Sequence, residues 1–191
     1  MSFQTETERL ILRDVREADI PILLEQFAEP EARVNILSSQ WNEASNKRNL
    51  IKAIAETKLR RRERYELAVT LKSDGTLIGS CTISNLKPKS RETVIGWHFG
   101  HAFSGNGYAT EAARELLRIG FQLYNVSEIH ADCFAGNRAS IRIMEKIGMA
   151  SRPNLELFNE IRAWSYGERK PAVRYIISRR QWLAKQAEKQ K

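Results

Sequence analysis

The sequence predicts an α/β domain whose central mixed sheet carries helices on both faces. The first half of the 191 residues contains strand-like runs joined by tight turns, and the second half alternates strand, helix, strand and helix. Turn-linked strands pair antiparallel, whereas a crossover helix makes a parallel pair, so the two halves together predict a mixed sheet. No repeat, low-complexity block or linker divides the chain. We expect one domain over residues 1–191, with a core at 7–182 and a basic tail at 183–191.

The strands are predicted from short apolar or alternating runs bounded by turn residues. Ser73–Thr76 contains an Asp-Gly pair, which supplies the positive φ angles of a hairpin turn between two such runs. Lys87–Ser90 forms the next turn. The predicted strands are Arg9–Val15, Tyr65–Lys72, Leu77–Leu86, Thr93–Phe99, Glu128–Phe134, Ile161–Trp164 and Ala172–Ser178.

The helices are predicted from apolar residues spaced three and four apart. The clearest example has Leu116, Leu117 and Phe121 on one face, as in an amphipathic helix that covers a core. Gly148 stands where the predicted helix Asn137–Ile147 should end. The predicted helices are one that Asp19 caps or opens, a surface helix within Trp41–Arg64, Ala109–Tyr124, Asn137–Ile147 and a solvated C-terminal tail.

The net charge of +8 comes from two short windows. Lys58–Arg64 and Arg179–Lys191 each hold five basic residues and one acidic residue, and the rest of the chain is balanced. This distribution excludes a uniformly basic, histone-like protein and does not require a nucleic acid partner. No leader and no bilayer-spanning apolar run is recognisable, and Cys81 and Cys133 lie in strand-like runs, so we expect a cytoplasmic protein with buried, unbridged thiols.

A glycine-containing loop connects the fourth predicted strand to the clearest helix. Gly105 and Gly107 let the backbone turn sharply and approach a ligand, and the free N–H groups of the helix start favour an anion such as pyrophosphate. Asn106 and Gly107 replace the Lys-Ser/Thr pair of a P-loop, and Thr110 replaces the last glycine of the dinucleotide fingerprint. An NTPase and a nicotinamide enzyme are therefore excluded, and a tight turn without a ligand is the alternative.

Three stretches resemble the GNAT family of acyl-CoA N-acetyltransferases in order and spacing: TERLILR at Thr7–Arg13, SGNGYATEA at Ser104–Ala112 and NRASIRIMEKIGM at Asn137–Met149. The likeness is closer to the RimJ/RimL-like branch, which acetylates the N-terminal amines of ribosomal proteins. It extends from residue 7 to about Trp182. The resemblance implies a GNAT-like, mostly antiparallel mixed sheet with a splayed strand pair that admits the pantetheine of acetyl-CoA.

The resemblance also implies the residues that bind the coenzyme. The glycine loop would hold the pyrophosphate, and the start of the helix at Asn137 would lie near the thioester. Ser104 departs from the family's usual Gln or Arg at the first loop position. No metal is expected, because three histidines and two distant cysteines lack ligand spacing. The coenzyme contacts expected are Phe99, Ser104, Gly105, Asn106, Gly107, Tyr108, Ala109, Thr110, Asn137 and Ser140.

Acetyl transfer to an amine needs a neutral amine, a donor for the developing oxyanion and a proton for the departing thiolate. The resemblance assigns the thiolate proton to Ser140, because Met144 stands where some members of the family carry a tyrosine. The alternative is that Asn137 caps the helix and Ser140 is a first-turn polar residue. For Asn137 both roles can hold at once.

The base that takes the proton of the amine has weaker candidates. Many family members carry a glutamate in the strand before the glycine loop, but Val94 stands at that position. Strand parity places His98 on the face of Val94 and Gly96, and Glu92 lies on that face at the beginning of the strand. His98, Glu92 and a water molecule are the three alternatives.

The acceptor pocket is implied by the resemblance to lie between the early helices and the last strand pair. The aromatic residues available there are Trp41, Tyr65, Trp164 and Tyr166, each of which could instead pack in the core. Lys58–Arg64 falls near the acceptor, where it would repel cationic amines or attract an acidic substrate.

The function expected from the sequence is an N-acetyltransferase that moves an acetyl group from acetyl-CoA to a primary amine. The acceptor would be a protein N-terminal amine or a small amine, with a ribosomal protein among the candidate substrates and a homodimer among the candidate assemblies. No membrane partner is expected. The alternative is a non-catalytic CoA-binding module, or an RNA- or ribosome-associated module that uses the two basic windows.

Overall fold

The computed structural model describes residues 2–33, 42–152, 163–165 and 168–188. Within them, the strands are β1 (Gln4–Glu6), β2 (Leu10–Asp14), β3 (Arg64–Leu71), β4 (Leu77–Ser84), β5 (Thr93–Phe99), β6 (Glu128–Phe134), β7 (Ala150–Ser151), β8 (Ala163–Ser165), β9 (Glu168–Lys170) and β10 (Ala172–Ser178). The helices are α1 (Ile20–Ala28), α2 (Pro30–Arg33), α3 (Glu43–Glu56), α4 (Tyr108–Arg118), α5 (Arg138–Lys146) and α6 (Arg179–Glu188).

Eight of these strands form one sheet in the order β1-β2-β3-β4-β5-β6-β10-β7, and β8 pairs with β9 in a separate ribbon. Neighbours in the large sheet are antiparallel except for β5 and β6, which are parallel. The parallel pair is the one whose strands are joined through α4, as expected for a crossover connection. The predicted mixed, mostly antiparallel sheet is confirmed.

Helices pack on both faces of the sheet, also as predicted. Leu116 and Phe121 from the α4 segment, Met144 of α5 and Trp182 of α6 belong to the larger buried cluster on one face. The other face is covered by α1 and α3, whose Leu23 and Leu50 pack with Ala68 of β3, together with Val15, Ile20 and Leu77. Because strand side chains alternate between faces, β3 and β4 contribute to both layers.

Some boundaries differ from the sequence prediction. The clearest helix is α-helical only to Arg118 and continues as a π-helical turn over Ile119–Leu123. α3 ends at Glu56, before the first basic window, so that window forms a bend rather than the end of a helix. Asp19 precedes α1, but its carboxylate accepts hydrogen bonds from Arg13 and from the Arg16 N–H instead of capping the helix. Residues 161–162 of one predicted strand lie outside the described residues.

Part of the first basic window is neutralised inside the protein. Arg62 is buried, donates to both carboxylate oxygens of Asp14 at 2.6 and 3.1 Å, and stacks 4.2 Å from the Tyr65 ring. Arg64 pairs with Glu66 at 3.0 Å. The charges of these two arginines are therefore matched by carboxylates, and the expectation that the window repels cationic amines or attracts an acidic substrate stays a prediction.

Two expectations from the composition can be compared with the described part of the chain. Cys81 and Cys133 are both free and buried, as predicted. Burial raises the pKa of Cys133 to about 11, so its thiol stays protonated at neutral pH. No helix within residues 2–33, 42–152 or 168–188 is long and apolar enough to cross a membrane.

Candidate active site

The sheet opens between its two parallel strands. β5 and β6 are paired only at Thr93 with Ile129 and at Val94 with His130. Beyond this point β5 remains paired with β4 as far as Phe99, and β6 follows β10 instead. A cleft of about 680 Å³ occupies the opening, and its lining comes from both layers of the protein. The sheet thus has a gap between β5 and β6, in agreement with the splayed strand pair that the family resemblance implies.

The glycine loop lies on the α4 side of this opening. Gly105 and Gly107 have φ angles of +82° and +80°, a conformation that residues with a Cβ rarely adopt. Gly107 is the N-terminal cap of α4 and offers no side chain to the N–H groups of the first turn, which have no partner within the helix. A Cβ built on Gly105 meets no atom within 4 Å, so the space before the loop is open. This cradle suits a pyrophosphate.

A network that the sequence analysis missed supports the loop from the turn before β2. Arg9 donates from Nη1 to the carbonyl of Asn106 at 3.0 Å and pairs through Nε with Glu111 at 2.8 Å. Its guanidinium also stacks over the Tyr108 ring at 4.6 Å. Glu111 further accepts from the Thr7 hydroxyl at 2.6 Å. Both ends of the network lie in stretches that carried the family resemblance, which was the available signal.

Asn137 and Ser140 lie at the N-terminus of α5 and line the cleft. The Asn137 side-chain oxygen accepts a hydrogen bond from the Ser140 N–H at 3.0 Å, so Asn137 does cap the helix. Among the described residues, the Ser140 hydroxyl has no hydrogen-bond partner, and this leaves its proton for another molecule in the cleft. Ile143 and Met144 continue the wall.

Replacing Asn137 by alanine is expected to lower the free energy of unfolding by about 1 kcal/mol, the usual cost of losing an N-cap. Asn42→Ala is a matched control, because Asn42 caps α3 with the same bond, from the Ser45 N–H at 2.8 Å, outside the cleft. Urea unfolding should give similar losses for both variants, while only Asn137→Ala should also lower acetyl-CoA turnover. Equal turnover in the two variants would mean that Asn137 is a cap and nothing more.

Of the other residues predicted to contact the coenzyme, Phe99, Ser104 and Ala109 line the cleft. Asn106 shapes the loop by donating to the carbonyls of Phe103 and Ser104. Thr110 is buried, so only its N–H is available to a ligand. The role of each toward the coenzyme stays a prediction.

The opposite side of the cleft is a polar chamber under α1 and α3. Glu66 of β3 lies in it, registered opposite Thr82 of β4, which is opposite Gly96 of β5. Its carboxylate accepts hydrogen bonds from Arg64 at 3.0 Å and Thr82 at 2.8 Å. Burial raises the pKa of Glu66, although Arg64 opposes the shift. The sequence analysis missed Glu66, whose signal was an acidic residue within an otherwise apolar strand.

His98 also lines the chamber, as strand parity predicted. Its Nε2 lies 3.1 Å from the Gln26 carbonyl oxygen, to which the ring donates, and its ring centroid is 4.7 Å from that of Phe27. Burial lowers the pKa of His98, so the imidazole is neutral at pH 7. Only Nδ1 is left to accept a proton from another molecule.

Two other predicted residues lie outside the chamber. Glu92 is exposed, precedes β5 and does not line the cleft; at about 3.3 Å per residue it is some 13 Å along the strand from Gly96. Tyr65 is 7% exposed and packs against Phe3 and Tyr124 on the opposite face of β3, since neighbouring strand residues face opposite ways. The prediction that these two residues lie in the active site is wrong.

The remaining aromatic candidates are not placed by the structure. Trp41 and Tyr166 lie outside the described residues, and Trp164 lies in β8 with its side chain undescribed. Their roles toward the acceptor stay predictions. In the described ranges, no group of three His, Cys, Asp or Glu side chains is arranged to hold a metal ion.

The glycine loop offers an anion site on one face of the sheet, and the polar chamber lies on the other face. This arrangement is expected of a transferase whose two substrates meet in the gap between β5 and β6. The family model of the acetyltransferase (GNAT) domain matches residues 9–150. The chain belongs to this family and is an acetyl-CoA-dependent acetyltransferase.

Individual relatives agree with this assignment. The chain is 26% identical to the uncharacterized N-acetyltransferase p20 of Bacillus licheniformis over 74% of this chain and 79% of the relative. Its fold is similar to that of a spermidine N-acetyltransferase from Vibrio cholerae in complex with CoA and spermine, with a TM-score of 0.76, 15% identity, and coverage of 93% and 99% of the two chains. It is also similar to RimL, a ribosomal L7/L12 α-N-protein acetyltransferase in complex with coenzyme A, with a TM-score of 0.71, 14% identity, and coverage of 90% and 95%.

Proposed function

We propose that the protein acetylates a primary amine that enters the chamber under α1 and α3, while acetyl-CoA binds from the α4 and α5 side. The observation that carries this proposal is the single cleft lined from both faces, with Glu66 and Thr82 on one side and Ala109 and Ser140 on the other. The two substrates would therefore meet inside the opening beside β5. Bound acetyl-CoA would supply the activated acetyl group.

The residues of this chain have separable roles in the proposal. The N–H groups at the start of α4, exposed by Gly105 and Gly107, hold the pyrophosphate. Ser140 donates its hydroxyl proton to the departing sulfur, which its place in the cleft and its unpaired hydroxyl support. Asn137 holds the first turn of α5 that carries Ser140.

A cationic small amine is the acceptor that the chamber favours. Its lining includes four carboxylates, those of Glu29, Glu31, Glu66 and Asp132. Arg64 and Arg174 pair with Glu66 and Asp132, and the remaining excess of negative charge would attract an ammonium group. The structural likeness to a spermidine N-acetyltransferase supports this choice. A protein N-terminal amine, including that of a ribosomal protein, is the second candidate, supported by the likeness to RimL. A homodimer stays a prediction.

The test is to titrate the purified protein with acetyl-CoA in a calorimeter, then incubate it with spermidine, tryptamine and a free-amino tetrapeptide. Acetyl-CoA should bind, and at least one amine should release coenzyme thiol and gain one acetyl group by mass spectrometry. The N-acetylated tetrapeptide is the control and should release none. Binding without thiol release from any amine would instead favour a non-catalytic CoA-binding module. Tight RNA association with a steep salt dependence, again without thiol release, would favour an RNA- or ribosome-associated module.

A further inference from the structure

We propose that Glu66 is the base that takes the proton from the acceptor amine. The inference rests on the proposed acetylation of an amine in the chamber, and it assigns the role that His98, Glu92 or water had in the sequence-based prediction. Glu66 reaches the cleft from β3, two strands away from the opening in the sheet.

The path from Glu66 to the opening is clear of side chains at β5. The register aligns Glu66 with Thr82 and then with Gly96, the β5 residue next to the gap. A Cβ built on Gly96 would meet no atom within 4 Å, so an acceptor can lie over this position. Strands are about 4.8 Å apart, which puts the two backbones about 10 Å from each other, a span that a glutamate side chain and a bound amine can share. A single water can also relay the proton over such a distance.

The Glu66 carboxylate is held in place and largely removed from water. Its side chain is 11% exposed, and Oε2 accepts both the Arg64 hydrogen bond at 3.0 Å and the Thr82 hydrogen bond at 2.8 Å. Burial makes a carboxylate more basic, whereas the Arg64 charge and the hydroxyls of Thr82 and Ser80 make it less so; together they leave the pKa of Glu66 raised. A base for an amine needs this combination of fixed position and raised affinity for protons.

Other charged and titratable groups surround the chamber. They are Arg64 on β3, His98 on β5, Asp132 and the Cys133 thiol on β6, His101 before the glycine loop, Glu29 after α1 and Glu31 in α2. The cleft-facing residues of α3 are uncharged, namely Asn46, Asn49 and Leu50.

These alternatives are less suited to the role. Arg174 donates to both carboxylate oxygens of Asp132, through two hydrogen bonds of 2.8 Å, whereas Arg64 and Thr82 both donate to one oxygen of Glu66, Oε2. Glu29 accepts the His101 N–H at 2.8 Å. Nε2 of His98 is occupied by its hydrogen bond to the Gln26 carbonyl oxygen. Glu66 is the carboxylate of the chamber that is aligned with Gly96.

The acceptor enters as an ammonium ion, and Glu66 takes one of its protons. The amine nitrogen then forms a bond to the acetyl carbon, and the carbon–sulfur bond breaks with its electron pair leaving on sulfur. Ser140 protonates that sulfur and recovers a proton from the attacking nitrogen, and Glu66 releases its proton to solvent. One ammonium and one acetyl-CoA thus give one amide, one coenzyme thiol and one proton.

The first arm of the test compares Glu66→Gln with Glu63→Gln. Glu63 is an exposed neighbour that pairs with Lys87 outside the cleft, so its variant should retain wild-type kcat/KM. Glu66→Gln should lower kcat/KM by about 100-fold or more, the usual range for a lost general base. Acetyl-CoA affinity by calorimetry should stay within about threefold of wild type, because Glu66 lies on the acceptor side; this also verifies that the variant is folded.

The second arm follows kcat/KM from pH 5 to 9, with amide formation measured by mass spectrometry. An ionised Glu66 is required, so activity should fall as the pH drops through its pKa, and the fall should be missing in Glu66→Gln. Arg64→Gln removes the charge that lowers this pKa and Thr82→Val removes a hydrogen bond that does the same, so both should move the fall to higher pH. Comparing spermidine with the tetrapeptide distinguishes protonation of the substrate amine from protonation of Glu66. The two amines have pKa values of about 10 and about 8, so an effect of the substrate would move with the amine and an effect of Glu66 would not.

The outcomes distinguish the two levels of the proposal. Suppose that the wild type acetylates an amine. If Glu66→Gln then has the same kcat/KM as the wild type, or shows the same fall in kcat/KM at low pH, Glu66 is not the base. If the fall in kcat/KM at low pH is missing in His98→Gln instead, the base is His98. If wild type binds acetyl-CoA and acetylates none of the amines, the proposed acetylation fails and the role of Glu66 fails with it.

Discussion

Gly107→Val is expected to weaken acetyl-CoA binding by roughly 10- to 100-fold, measured by calorimetry. Gly107 caps α4 with a φ of +80°, and a β-branched residue there costs about 1–3 kcal/mol of strain. The loop can relieve that strain only by moving, and movement would displace the N–H groups proposed to hold the pyrophosphate. The added Cβ itself meets only Arg9 Nη2 at 3.5 Å, an ordinary contact, so the effect should come from backbone conformation.

Gly75→Val is the control for this experiment. Gly75 has a φ of +76° in the turn between β3 and β4, and an added Cβ meets nothing within 4 Å. Both variants should lose similar free energy of unfolding, but Gly75→Val should bind acetyl-CoA as wild type does. Retained affinity in Gly107→Val would remove the glycine loop from the coenzyme site.

Ser140→Ala should lower kcat by about 100-fold with little change in acetyl-CoA affinity, because the loss of a general acid affects the transition state rather than ground-state binding. Alanine keeps the N–H that bonds to Asn137, so the cap of α5 survives and the comparison is confined to the hydroxyl. Single-turnover kinetics together with calorimetry would measure the two quantities. Ser140→Cys, which restores a proton donor, should recover part of the rate. An unchanged kcat in Ser140→Ala would leave the sulfur protonated by solvent or another group.

Much of the fold was predictable because local pattern and global structure agree. The spacing of Leu116, Leu117 and Phe121 follows one helical face, and all three are buried against the sheet. The Asp-Gly pair at Asp74 specifies its hairpin locally, because Gly75 takes a φ of +76° and the Asp74 carboxylate accepts the Thr76 N–H at 2.9 Å. The π-helical turn after Arg118 leaves no such signature, because it depends on how the end of the helix meets the sheet.

The loop proposed for the coenzyme could be located from sequence, since a loop and the helix after it are continuous in the chain. The acceptor side could not. Aromatic character suggested Tyr65, but its neighbour Glu66 faces the chamber, and which face of β3 meets the chamber is decided by α1 and α3. Likewise Arg62 was counted as free surface charge, and its burial against Asp14 joins residues 48 positions apart. Contacts between segments that are distant in the chain cannot be predicted from a single sequence.

The opening beside β5 also separates the parts of the protein that determine its two specificities. In the proposed arrangement, donor recognition depends on the loop before α4 and the start of α5, whereas the acceptor meets α1, α3 and the polar residues of β3 and β4. Substitutions under α1 and α3 can consequently change which amine is accepted without disturbing the coenzyme cradle on the far side. Such a division lets one donor chemistry be retained while the repertoire of acceptors diversifies.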